Sequence, residues 1–206
     1  MSITNGYTTL VAVKAALRLT DSTDDTLLEQ AVESASRRVD SYCGRFFYQT
    51  TATILIDPLS EYICALPADL VSATTIKTDS SGDATYATTL TANIDYRLTP
   101  YDATLQSRPY RQIEMVGGKT FPVNYSALKQ LAYVPSTPVC QVAGVWGWSA
   151  IPADVAQATI LLAMRQFARL NAALGIVGFA DQAITVKAVD PDVRDLLNPY
   201  RLFGVA

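Results

Sequence analysis

Few residues in this 206-residue chain are of the types that carry out reactions. Histidine is absent, which removes Ser-His-Asp and Cys-His nucleophilic catalysis. The three cysteines, Cys43, Cys64 and Cys140, stand far apart and outside CxxC spacing. They read as small buried residues of a reducing compartment, and no zinc site is expected. The carboxylate pairs Asp57/Glu61 and Asp190/Asp192 have the residue types of a glycosidase dyad. Each pair sits at a turn or a helix cap, where acidic residues are common for structural reasons. Asp24/Asp25 reads the same way, as the start of a helix with no third ligand type nearby. Gly117-Gly118-Lys119-Thr120 ends like a phosphate-binding loop but lacks the first glycine at the required spacing, so it reads as a turn. Trp146 and Trp148, two residues apart on a strand, share a face and could stack on a sugar or a base. Burial in a core is the commoner use of such a pair. No catalytic residue, metal ligand or cofactor-binding residue is assigned.

The elements that would position these residues fall into three stretches. In residues 1–49, Thr8 or Thr9 caps a short helix through Arg18, with Leu10, Val13 and Leu17 on one face. Ser22 or Thr23 caps a second helix that runs to about Tyr42. Its Leu27, Leu28, Ala31, Val32, Ala35, Val39 and Tyr42 span an arc of roughly 140°, and Gly44 stops it. Residues 50–151 are rich in threonine, valine, isoleucine and tyrosine and lose the helical period. Strands are expected at Thr51–Ile56, Glu61–Pro67, Val71–Thr78, Tyr86–Leu90, Ile94–Leu98, Arg111–Val116 and Pro138–Trp146, with a turn at Asp79–Asp83. Ser107–Tyr110 and Gly117–Pro135 read as loops reaching away from the body. Gly144 and Gly147 suggest a bulge or a close backbone approach.

Pro152 then suits the first turn of a long helix, Ala153–Leu174, about 33 Å long. Its apolar face is read as Ala156, Ile160, Ala163, Met164, Phe167, Leu170 and Leu174, with a polar strip of Asp154, Arg165, Gln166 and Arg169. Gly175 and Gly178 end it. Ala183–Val189 reads as an extended strand, and Asp190-Pro191-Asp192 caps a last short helix stopped by Asn198-Pro199. The tail Tyr200-Arg201-Leu202-Phe203 is apolar with one charge, and so packs on its own domain or docks on a neighbour. The fold class expected is α+β: a small helical bundle of two N-terminal helices and one long C-terminal helix, carrying an inserted antiparallel β domain. Trp146-Gly147-Trp148 and Pro152 form the junction between the two.

Composition narrows the partners. Basic and acidic residues number 16 and 19, a net charge of −3, spread along the chain with no basic arm or acidic tail. A chain that grips a phosphate backbone normally shows a cationic patch. The most apolar window, Val155–Met164, is too short for a membrane span. Residues Met1–Asn5 lack the regions of a signal peptide, so a soluble cytosolic product is expected.

Three segments carry a resemblance. Leu10–Arg18, then Asp24–Glu29 and the helix end Tyr42-Cys43-Gly44-Arg45, resemble the opening of the head–tail connector (adaptor) proteins of tailed bacteriophages. Gly144–Val155 resembles the segment before their long third helix, and Asp190–Arg201 the end of their longer members. The resemblance implies a structural virion protein with no reaction and no cofactor, made in the bacterial host cytoplasm and placed at the neck. It implies a ring, usually twelvefold, below the portal protein and around the DNA channel, touching packaged double-stranded DNA transiently and docking a tail-side neck protein. On that reading Asp190, Leu196, Leu197, Tyr200, Arg201, Leu202 and Phe203 meet a partner, and Arg165 and Arg169 form ion pairs between subunits or a solvated strip. The alternatives are another neck component, such as a stopper or tail-completion protein, and a carboxylate-based soluble hydrolase.

Overall fold

A computed structural model describes residues 3–122, 138–171 and 191–202. The chain divides into two compact units, one of residues 1–48 with 150–206 and one of residues 49–149.

The first unit is helical. Helix α1, Leu10–Leu17, is capped by Thr9, whose hydroxyl accepts from the Ala12 N–H at 3.2 Å. Helix α2, Asp25–Cys43, buries Leu28, Ala31, Val32, Ala35, Ser36, Val39 and Cys43. That stripe matches the expected face except at its rims, where Leu27 is exposed and Tyr42 half-buried. The residue before the helix is Asp24 rather than Ser22 or Thr23; its side chain makes no capping bond, and its carbonyl takes the first helical bond, from the Leu28 N–H at 2.9 Å. Asp21 has folded the preceding residues into a turn by accepting from the Thr23 N–H. Asp25 is held by Lys14 of α1 at 2.5 Å. Gly44 ends α2 in the left-handed region, φ 67°, which strains any residue with a Cβ.

Helix α3, Ala153–Asn171, packs on α1 and α2. Its buried stripe is Val155, Ala158, Thr159, Leu162, Ala163 and Phe167. Ala156, Ile160 and Met164 are only half-buried, so the stripe is rotated from the expected one. The buried Thr159 hydroxyl is satisfied by the Val155 carbonyl at 2.8 Å, which lets a polar residue face the core. Pro152 precedes the helix, and its carbonyl accepts from the Ala156 N–H. Leu174, Gly175, Gly178 and the expected strand Ala183–Val189 lie outside the described residues. Helix α4, Pro191–Leu197, buries Val193 and Leu197. At Asn198 the chain tightens into a 3-10 turn, Asn198–Tyr200.

The second unit is an antiparallel sheet of six strands: β1 Thr50–Ile56, β2 Ile63–Thr78, β3 Thr88–Leu90, β4 Tyr96–Thr99, β5 Tyr110–Met115 and β6 Cys140–Trp146. Their order is β1-β6-β2-β5-β4, with β3 paired to β2. The two expected strands Glu61–Pro67 and Val71–Thr78 are one. Strand β2 runs through Pro67, which falls where the pairing with β5 shifts register between Ala65 and Leu70, so its missing N–H breaks no ladder bond. Leu70 is the hand-over point, opposite Tyr110 of β5 and Trp146 of β6. The Asp79–Asp83 turn is tied by the buried Asp79 carboxylate, which accepts from the N–H groups of Ser81, Gly82 and Ala84. Gly144 does mark a close approach. A Cβ there would stand 2.3 Å from the Ser72 carbonyl oxygen, and β2 shifts register on both sides of Ser72–Ala73.

Candidate assembly surfaces

The residues with chemical potential are taken up by structure. Asp57 and Glu61 are exposed on the β1–β2 loop, where Asp57 accepts from the Val139 N–H at 3.3 Å. Gly117 and Gly118 turn in the left-handed region, φ 65° and 74°, and the Lys119 N–H closes on the Val116 carbonyl. Asp192 is exposed and Asp190 lies outside the described residues. All three cysteines are buried and unbridged. Burial pushes the Cys43 thiol up to about 11. The Cys64 thiol against it, and burial, raise Cys140 far above the usual range. Thiols held protonated in this way are poor nucleophiles. Among the described residues no three His, Cys, Asp or Glu side chains gather in a group that holds a metal.

The tryptophans are anchors within the β unit. Trp146 is fully buried and its indole N–H donates to the Ala52 carbonyl at 3.0 Å. Gly147, at φ 107°, breaks the strand, and its N–H donates to the Asp69 carbonyl at 2.7 Å. Trp148 donates to the Asp69 carboxylate at 2.9 Å, and Arg111 reaches the other carboxylate oxygen at 2.9 Å. Neither tryptophan offers a face for stacking. Asp69 was missed in the sequence, although a lone acid among the apolar residues of Leu66–Val71 is the kind of signal that marks a buried ion pair.

The C-terminal residues are tied to the helical unit. Tyr42 donates to the Asn198 side chain at 2.7 Å, and the Leu202 N–H donates to the Cys43 carbonyl at 2.8 Å. Arg201 lies over the Tyr42 ring at 5.4 Å. Tyr200 meets Phe47 edge-on at 5.9 Å and donates to Asp154 at 3.1 Å. Leu197 is core and Leu196 half-buried, while Arg165 and Arg169 are exposed on α3. Phe203 lies outside the described residues. A polar knot near the same end of α2 gave no sequence signal. The Tyr7 hydroxyl donates to Asp40 and accepts from the Phe47 N–H at 2.8 Å, and Arg37 pairs with Asp40 at 3.2 Å. Burial and Asp40 raise the Tyr7 hydroxyl well above its ordinary value, and burial raises Asp40.

What the molecule does present is ordered apolar surface. The β unit exposes Leu59, Tyr62, Ile94, Tyr101 and Leu105 to between 55% and 88%. The helical unit exposes Val11 and Leu27. The loop carrying Leu59 and Tyr62 is fixed by N–H groups of Leu59 and Ser60 donating to the Ile63 carbonyl, and by the Ser60 hydroxyl. Ordered exposed apolar side chains of this kind mark contact surfaces rather than reaction sites.

Comparison with known proteins bears out the likeness read from the sequence. Residues 7–99 match the sequence profile of the family described as Phage gp6-like head-tail connector protein. No curated protein sequence matches the chain. Among solved structures, it is similar over its whole length to a chain in the neck of an empty GTA particle computed with C6 symmetry, at 19% identity and a TM-score of 0.56, covering 95% of that chain. It is equally similar to a chain in the neck of a native GTA particle computed with C12 symmetry, at 18% identity, TM-score 0.56 and 94% coverage. A chain in the virion of a native gene transfer agent (GTA) particle matches at 19% identity, TM-score 0.54 and 95% coverage. At these identities the structural likeness establishes the fold. The connector profile covers α1, α2 and the sheet through β4.

Proposed function

We propose that this chain is the head-to-tail adaptor of a tailed phage or phage-like particle. It forms a ring below the portal, around the DNA channel, and gives tail-side neck proteins their docking surface. The observation that carries the reading is the head–tail connector match over residues 7–99. It is supported by a fold shared end to end with chains from particle necks, two of them computed with C6 and C12 symmetry. A ring joins one surface of each subunit to a different surface of the next. The half-buried apolar side chains of α3, Ile160, Leu161 and Met164, and the exposed Val11 and Leu27 supply two such surfaces. A net charge of −3 suits a channel that lets DNA slide, because few counterions are released on contact. In this reading Arg165 and Arg169 lie at the subunit contacts, and the segment from Leu196 to Leu202 faces the portal.

Deleting the gene from its particle tests the role. The expected result is DNA-filled heads without tails, restored by supplying the chain in trans. Normal tailed particles in its absence overturn the reading.

A further inference from the structure

We propose that Cys64 and Cys140 are a modification site, a thiol pair that a peroxide closes to a disulfide, stapling β2 to β6 inside the β unit. The pair itself rests on the fold. When it closes in the life of the particle rests on the neck reading above.

The two cysteines belong to different ladders. Cys64 lies opposite Ile113 of β5, and Cys140 lies opposite Ile56 of β1 and Thr78 of β2. Residues 57–62 bring them together. Strand β1 ends at Ile56, beside Cys140, and this short loop returns the chain to Ile63 and Cys64. The loop is fastened at both ends. Asp57 accepts from the Val139 N–H at 3.3 Å, one residue before Cys140. The Leu59 N–H donates to the Ile63 carbonyl at 3.0 Å, one residue before Cys64. Both cysteine side chains are fully buried, and their thiols hydrogen-bond to each other.

Thiols already in contact need only small side-chain rotations to reach disulfide geometry. Hydrogen peroxide is small enough to enter a packed unit when it opens locally. One thiol gives up its proton, and its sulfur attacks the O–O bond, leaving a sulfenic acid and one water. The second sulfur then attacks the sulfenic sulfur. The S–S bond forms, the S–O bond breaks, and the hydroxyl leaves as a second water with the second thiol's proton. Two thiols are oxidised by two electrons, and one peroxide is reduced to two waters. Burial makes the first step slow, because the thiolate is the reacting form. The contact makes the second step fast, so the sulfenic acid is trapped before it oxidises further. On the neck reading, the chain folds in a reducing cell interior and then leaves with the particle. The bond therefore closes after assembly and hardens the β unit of the released particle. A cross-link between residues so distant in sequence strongly constrains the unfolded chain.

The purified, reduced chain tests this directly. It is treated with hydrogen peroxide, unfolded in an alkylating agent and weighed by mass spectrometry. Three free thiols are present at the start. The expected result is a single alkyl group, on Cys43 of the helical unit. The peptides holding Cys64 and Cys140 are expected to be joined until dithiothreitol separates them. The cross-linked chain is expected to unfold at higher urea concentration than the reduced chain, and Cys43→Ser to form the same cross-link. Three alkyl groups after prolonged treatment overturn the proposal. So does sulfinic acid at Cys64 or Cys140 without a cross-link. Released particles are expected to carry the cross-link, and the chain in unlysed cells to lack it. Reduced thiols in released particles overturn closure after assembly. Particles without this chain overturn the neck reading, while the cross-link in the purified chain stands.

Discussion

Asp69 shows how much one side chain can organise. Its carboxylate is 1% exposed and holds Trp148 and Arg111, while its carbonyl holds the Gly147 N–H. Asp69→Ala leaves the Trp148 N–H buried without an acceptor and Arg111 without this carboxylate. The expected loss is about 3 kcal/mol of stability, read from urea unfolding. Trp146 fluorescence should report the same transition, since its ring is packed in that unit. At Asp40 the residue-scale test is a pH dependence. Burial raises its folded value, so the protonated form is favoured in the fold. The stability it contributes is complete below the ordinary carboxylate value and is lost as pH rises through the raised one. Asp40→Asn, which keeps an acceptor for Tyr7, should flatten that decline between the two values in unfolding curves taken across mildly acid pH. Neither knot's partners were legible in the chain, although Asp69 stood out as a lone acid among apolar residues. Tyr7 and Asp40 stand 33 positions apart and Asp69 and Trp148 stand 79 apart, and nothing local in a sequence reports a long-range polar contact.

Elements were legible where a single period ruled. Helix α2 was readable because its apolar side chains repeat at 3.6 residues against one partner face, and strands β1, β5 and β6 because alternation and turn residues agreed. Three expectations failed for identifiable reasons. Strand β2 was divided at Pro67-Ala68-Asp69, because proline and a charge normally end a strand, whereas here a register shift absorbs the proline and Trp148 and Arg111 satisfy the acid. The buried stripe of α3 is rotated toward Val155, Ala158, Thr159 and Leu162, because the Thr159 hydroxyl is satisfied within the helix and a residue read as polar can face the core. The start of α2 moved to Asp24, whose side chain makes no capping bond, because Asp21 draws the Thr23 N–H into the turn before it. Gly144 carries the element-scale prediction. Gly144→Ala drives a methyl group to 2.3 Å from the Ser72 carbonyl and must push β2 away from β6. A loss of about 2 kcal/mol is expected. It should appear in the unfolding of residues 49–149, followed by β-sheet circular dichroism, with the helical signal retained to higher denaturant.

The whole molecule was legible through its architecture. Two helices, a threonine-rich sheet and a long helix in that order carried the connector likeness, and the profile match over residues 7–99 bears it out. The surfaces used in assembly were less visible, because exposed apolar residues such as Leu59, Ile94 and Leu105 look like core residues until the fold places them outside. Nor does a sequence reveal which strand lies at an edge. That depends on the order β1-β6-β2-β5-β4, which places the sheet's first and last strands next to each other and leaves β1 at the end of that order. The central claim is that this chain is the ring between portal and tail. A reconstruction of the intact particle neck tests it most directly. The account predicts a single ring of this chain directly below the portal, with its helices around the DNA channel. Finding the chain in the tail tube, or nowhere in the particle, would contradict it.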